Sequence, residues 1–147
     1  MLLPATLVLV AGLWQGEAMA KMVIFSAVQG KVLLNGSAVK GAEVVRRYRW
    51  TWKREDGEDR TVTDEGGKFS MPAIERSSLL GSLLPHEPVI EQTITIRHLG
   101  RDYNAWMLDK RDYDLNGELQ GKAIVMTCHL EAEPAGHGKV FGICELN

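Results

Sequence analysis

The sequence predicts an all-β fold, a seven- to eight-stranded β-sandwich with one long loop or short helix. Three observations predict it. Apolar and polar residues alternate with period two along most of the chain after residue 20. Turn signals cut these runs at short intervals: Asn35-Gly36, Asp56-Gly57, Asp64-Glu65-Gly66-Gly67 and Leu99-Gly100-Arg101-Asp102. A chain of 147 residues, 45% hydrophobic and 24% charged, suffices for one domain with a true core and has no signature of disorder.

The chain opens on a targeting segment, residues 1–20. Leu2 to Leu13 is an apolar run, and Ala18-Met19-Ala20 forms an A-x-A cleavage site before Lys21. The run is short for a membrane span. No Lys or Arg precedes it, which departs from the usual signal pattern; the other reading is a buried N-terminal helix. No Cys stands at the cleavage point, which argues against a lipoprotein. The expectation is export to the periplasm, leaving residues 21–147 as the folded domain. That domain carries 18 acids against 17 bases, a net charge of −1. Such a balance supplies no electrostatic reason for binding nucleic acid or an anionic membrane.

Lys21 to Ala27 reads as a strand, continued by Val28 to Leu34. Val39 to Lys53 is a long strand whose alternation puts Val44, Arg46, Tyr48, Trp50 and Trp52 on one side and Val45, Arg47, Arg49 and Thr51 on the other. The two sides are a core face and a solvated face, or else a binding surface. Arg54 to Arg60 reads as a charged hairpin tip. Thr61-Val62-Thr63 and Lys68 to Met71 are short strands. Gln92 to His98 alternates cleanly and returns through Tyr103 to Leu108, with Trp106 expected in the core. Asp109 to Gly121 is polar and loop-like. Lys122 to Leu130 is a strand with Ile124, Met126 and Cys128 on one face. Glu131 to Gly138 is a turn region, and Lys139 to Leu146 is the last strand.

Glu75 to Glu91 breaks the pattern. Leu79, Leu80 and Leu83 share one side of a short helix, Ser77 or Ser78 can cap it, and Pro85 and Pro88 end it. Leu84 is the fourth leucine of the stretch. Long ordered loops often carry function; the other reading is a leucine plug for one open end of the sandwich.

The stretch from Gly30-Lys31-Val32 through Gly41-Ala42-Glu43-Val44 to Thr63-Asp64-Glu65-Gly66-Gly67-Lys68-Phe69 resembles the carboxypeptidase-regulatory, transthyretin-like (Ig-like) family of β-sandwich domains. Ala38 stands where that family often has proline. The resemblance covers about the first third of the domain and implies a fold, because such folds carry many functions. One enzyme class on this fold, the hydroxyisourate hydrolases, ends in Tyr-Arg-Gly-Ser, whereas this chain ends Cys144-Glu145-Leu146-Asn147.

Cys128 and Cys144 form an even pair, which in an exported chain reads as one disulfide; the alternative is two buried thiols. Asp112-Tyr113-Asp114-Leu115-Asn116-Gly117 matches the first half of a calcium loop, so Asp112, Asp114 and Asn116 are a calcium candidate. The later bidentate acid is missing, since Ala123 stands there. The four histidines, 86, 98, 129 and 137, show no zinc spacing, and no Gly-x-Ser-x-Gly elbow or phosphate-cradling glycine loop appears.

The functional expectation is a non-enzymatic binding protein without a cofactor. Its partner is a secreted toxin or effector, and its contact surface is Ser78, Leu79, Leu80, Leu83, Leu84, Pro85, His86 and Glu87. Arg46, Arg47 and Arg49 form a second candidate surface. The pattern of a small, exported, β-rich chain with a disulfide and no catalytic set is also similar to periplasmic immunity proteins of type VI secretion effectors. One class of such effectors is a zinc metallopeptidase. An envelope- or carbohydrate-binding domain using Tyr48, Trp50 and Trp52, and a calcium-stabilised adhesion module, are the alternatives.

Overall fold

The structure, a computed structural model, describes residues 21–77 and 84–147. The targeting segment expected over 1–20 and the helix expected around Leu79, Leu80 and Leu83 lie outside the described residues. Within them the chain is a β-sandwich-like fold with no α-helix. Its strands are β1 (Lys21–Phe25), β2 (Val28–Leu34), β3 (Ser37–Ala38), β4 (Glu43–Trp50), β5 (Glu55–Val62), β6 (Lys68–Met71) and β7 (Ile74–Ser77). They continue with β8 (Ile90–His98), β9 (Arg101–Lys110), β10 (Ile124–His129), β11 (Ala135–His137), β12 (Val140–Gly142) and β13 (Cys144–Leu146). A 3-10 turn spans Gly117–Leu119.

A six-stranded sheet runs β11-β12-β9-β8-β4-β5. A five-stranded sheet runs β13-β10-β2-β3, with β6 also paired to β2. β1 and β7 form a separate ribbon. β10 lies parallel to β2, while the other pairings are antiparallel. Val28, Val32, Phe69 and Met126 project from the smaller sheet, and Val44, Trp50, Ile94 and Trp106 from the larger, into one core with Ile24 and Phe25 of β1. Each such large side chain removed from water stabilises the fold by roughly 1.5–3 kcal/mol before entropy is counted.

The turn chemistry works as read at two hairpins. Asn35 and Gly36 have φ of 49° and 83°, and Leu99 and Gly100 have 51° and 75°. Both pairs have the double positive φ of a type I′ turn, whose twist matches the strands it joins. The disulfide also forms: Cys128 and Cys144 are direct register partners on β10 and β13, with Cα atoms 3.9 Å apart.

Other expectations are corrected. Asp56-Gly57 is not a turn, and Arg54 to Arg60 is not a hairpin tip. The reversal falls at Thr51–Arg54, closed by the Arg54 N–H donating to the Thr51 carbonyl at 3.1 Å. Asp56 and Gly57 lie inside β5, the edge strand of the larger sheet. Its charges belong there because an edge strand facing water is kept soluble by charge. Gly57 is in the strand because the Tyr48 ring lies against it and leaves no room for a Cβ. Glu75 to Ser77 belong to β7 rather than to the irregular loop. The segment expected as one last strand divides into β12 and β13, which belong to different sheets.

Candidate functional site

The described part of the expected contact loop is Leu84 to Val89, between β7 and β8. Leu84, Pro85 and Glu87 are exposed, and Leu84 shows 52% of its surface. His86 is not presented to solvent as a free group. Its ring stacks on Trp52 with centroids 4.0 Å apart and planes 10° from parallel. Nδ1 lies 2.9 Å from the Leu84 carbonyl, and Nε2 lies 2.6 Å from the Tyr113 hydroxyl. A carbonyl can only accept, so Nδ1–H is the donor to Leu84, and in that tautomer Nε2 accepts from the Tyr113 O–H. The Tyr113 oxygen in turn accepts from the Trp50 indole N–H at 3.0 Å. Burial raises the Tyr113 pKa, and the Trp50 bond offsets part of that rise. The chain of donors fixes the loop backbone from the core outward: Trp50 is buried in β4, Tyr113 and Trp52 are half-buried, and Leu84 and Pro85 stand outside. Among the described residues Glu87 is paired with Arg111 at 3.4 Å.

The second candidate surface does not hold together. Arg46 is wholly buried. Its guanidinium donates to both oxygens of Asp59 at 2.9 and 2.6 Å and to the Ser26 and Pro72 carbonyls, and it lies over the Phe25 ring at 4.9 Å. Its parity in β4 is that of Val44, Tyr48 and Trp50, so it faces inward. Arg47 and Arg49 are exposed on the other face, where they pair with their register partners Glu58 and Asp56 on β5 at 3.3 and 3.9 Å. They neutralise a sheet edge.

Tyr48 and Trp50 are core residues, 5% and 2% exposed, and Trp52 is half-covered by His86 and by Lys53 above its ring at 4.8 Å. The open aromatic face needed for sugar stacking is therefore absent at this strand. Tyr48 donates its O–H to Glu55 at 2.6 Å and accepts from Arg76 at 2.8 Å. Burial first, and the Glu55 bond second, push its pKa up to about 12.

The calcium candidate is occupied by a side chain of the protein itself. Lys110 is buried, and its ammonium donates to the Asp114 carbonyl at 2.6 Å, lies 3.2 Å from Glu118 Oε1 and 3.9 Å from Asp112 Oδ1. Asp112 Oδ1 also accepts from the Asp114 amide at 3.0 Å. Asn116, at φ 56°, uses its amide on the Ser26 hydroxyl. The loop has gathered its oxygens around a lysine. Among the described residues no group of three or more His, Cys, Asp or Glu side chains is arranged to hold a metal ion.

Sequence reading missed the polar network to which that lysine belongs. Glu118 Oε1 accepts from the Ser26 amide at 2.9 Å and from Gln92 Nε2 at 3.0 Å, while Oε2 accepts from the Ser26 hydroxyl at 2.7 Å. Gln92 Oε1 accepts from the Trp106 indole N–H at 3.2 Å. Burial works to raise the Glu118 pKa. The Ser26 hydroxyl, the Lys110 charge, the Ser26 amide and Gln92 together outweigh it, and the carboxyl is held below its usual range. A signal was present: Gln92 shares its parity with Ile90 and Ile94, and Lys110 with Trp106 and Leu108.

The family model that matches this chain is a domain of unknown function, DUF6795, over residues 28–133, from β2 to just beyond β10. No curated protein matches the chain, and no solved structure does.

Proposed function

We propose that this chain, which belongs to the DUF6795 domain family, is a non-enzymatic binding protein acting through the segment Leu84 to Pro88. The observation that carries the reading is the clamp on His86. A loop whose backbone is held by stacking and hydrogen bonds loses little freedom on binding, so its exposed Leu84, Pro85 and Glu87 are pre-ordered for contact. An exposed apolar anchor beside a charged group is the usual make-up of an interface centre and its rim.

In its specific form the reading is a periplasmic immunity protein, exported by residues 1–20, that covers the active cleft of a type VI secretion effector such as a metallopeptidase. What supports it is the sequence pattern and the loop. The transthyretin-like relationship rests on the residues quoted above and belongs to the same proposal. The aromatic sugar-binding and calcium readings lose their support to the burial of Tyr48 and Trp50 and to the position of Lys110.

The test is a pull-down from periplasmic extract of the native host with the 21–147 chain as bait, followed by titration of the captured protein. Leu84→Asp with Glu87→Lys is expected to weaken the complex at least 100-fold, about 2.7 kcal/mol or more, with an unchanged melting curve. Equal binding by the variant removes this segment from the interface.

A further inference from the structure

The outer face of the five-stranded sheet holds a feature that the loop reading does not use. Lys31 on β2 and Lys68 on β6 are direct register partners. Their side chains therefore leave the sheet on the same side, one strand spacing apart. Like charges placed so oppose folding. Among the described residues neither ammonium is in an ion pair, although eleven other basic side chains of the domain are.

The surroundings of this pair form an open cleft of about 630 Å³. Its rim and floor include Gln29, Ser70, Thr127 and Asn147, all able to donate or accept hydrogen bonds, with Val62 and Val125 as apolar walls. The register places Thr127 beside Lys31, and Gln29 between Val125 and Ser70, so these groups form two adjoining rows across β10, β2 and β6. Asn147 donates to the Thr127 hydroxyl at 3.2 Å, which holds that corner in place. Asp64 is the carboxylate in the lining. Its Oδ1 accepts the Gly66 and Lys68 amides at 2.9 Å, so it shapes the β5–β6 turn.

We infer that this cleft binds a small hydroxylated ligand bearing a phosphate or carboxylate group, whose oxyanion sits between the Lys31 and Lys68 ammoniums while its hydroxyls meet Gln29, Ser70 and Thr127. Two ammoniums facing the same space are relieved by one oxyanion, and ammonium is a compact charge suited to such a group. The volume lies in the range of small-molecule clefts. No residue is shared with the Leu84–Pro88 segment, so the two sites are tested apart.

The experiment is an amide NMR titration of the 21–147 chain at low salt with glucose 6-phosphate, glucuronate and glucose. The two acids separate a phosphate from a carboxylate source, and glucose is the uncharged control. Saturable shifts at Lys31, Lys68, Ser70 and Thr127 with at least one acid, and none with glucose, are expected. Lys31→Gln and Lys68→Gln are each expected to weaken that binding at least tenfold, while Lys40→Gln leaves it unchanged. Each of the first two is also expected to raise the melting temperature of the free protein by roughly 1–2 °C, by removing the repulsion. Absence of saturable shifts with both acids, equal response to glucose, or unweakened binding in Lys31→Gln and Lys68→Gln overturns the inference.

Discussion

At the scale of single residues the molecule is decided by charges placed where apolar groups are the rule. Lys110 and Glu118 are fully enclosed, and their pair is completed by Ser26, Gln92 and the Asp114 carbonyl. Removing one partner strands the other charge in a low dielectric, so Glu118→Leu is expected to cost about 3–5 kcal/mol in urea unfolding. Glu118→Gln should cost less, since it keeps part of the bonding. The pH behaviour follows from the depressed carboxyl. A group with a folded pKa below its unfolded one contributes stability that is whole above the ordinary glutamate range and fades as pH falls through the folded value. Unfolding free energy of the parent is therefore expected to drop on acidification below that range by more than that of Glu118→Gln. Equal slopes would refute the role given to this carboxyl. Parity alone marks Lys110 and Gln92 as inward, whereas composition labels the whole Asp109–Gly121 stretch as solvated loop. The parity signal is the better guide because a strand's pleat dictates direction whatever the side chain's polarity.

At the scale of elements, β5 is the instructive case. Its eight residues alternate half-buried and exposed without one fully buried member. Among the described residues only β4 pairs with it, and no described strand lies along its other edge. Charge makes that edge unattractive, and charge is also what disguised the strand as a hairpin tip. Glu58 and Arg60 both sit on the exposed phase and bond to each other, to Arg47 and to Glu43. Replacing both by valine is expected to leave the fold intact and to raise the mass by light scattering above that of the parent. An unchanged mass in the double variant would mean that the edge is guarded by something other than these charges. Gly57, in the middle of the strand, admits the Tyr48 ring; Gly57→Ala is expected to destabilise by about 1–3 kcal/mol through overpacking. The hairpins at Asn35-Gly36 and Leu99-Gly100 were legible because their conformation is written in two adjacent residues. The turn at Thr51–Arg54 was not, since it uses no glycine and carries its positive φ on Arg54 at 50°.

At the scale of the whole molecule the sequence discloses faces but not neighbours. Period two says which side chains point inward, and those assignments hold for Ile94, Trp106, Ile124 and Met126. It says nothing of strand order, so the parallel pairing of β10 with β2 and the passage of the chain between sheets at Ile143 were not readable. That passage explains where the disulfide stands. β12 belongs to the six-stranded sheet, the Ile143 amide donates to the Asn104 carbonyl of the same sheet at 3.0 Å, and the next residue, Cys144, is already in the other sheet. β13 is a sheet edge of three residues, held by three register pairs with β10. Such a short edge has little hold of its own, and the bond to Cys128 ties it to a central strand. Closing a loop of this length contributes about 3 kcal/mol in the chain-entropy model. Replacing both cysteines by serine is expected to lower global stability by roughly that amount and, before any global opening, to speed hydrogen exchange in residues 144–147 more than in β8. If exchange instead rises evenly across β8 and β13, the disulfide acts only through the unfolded chain, and β13 is anchored by its packing.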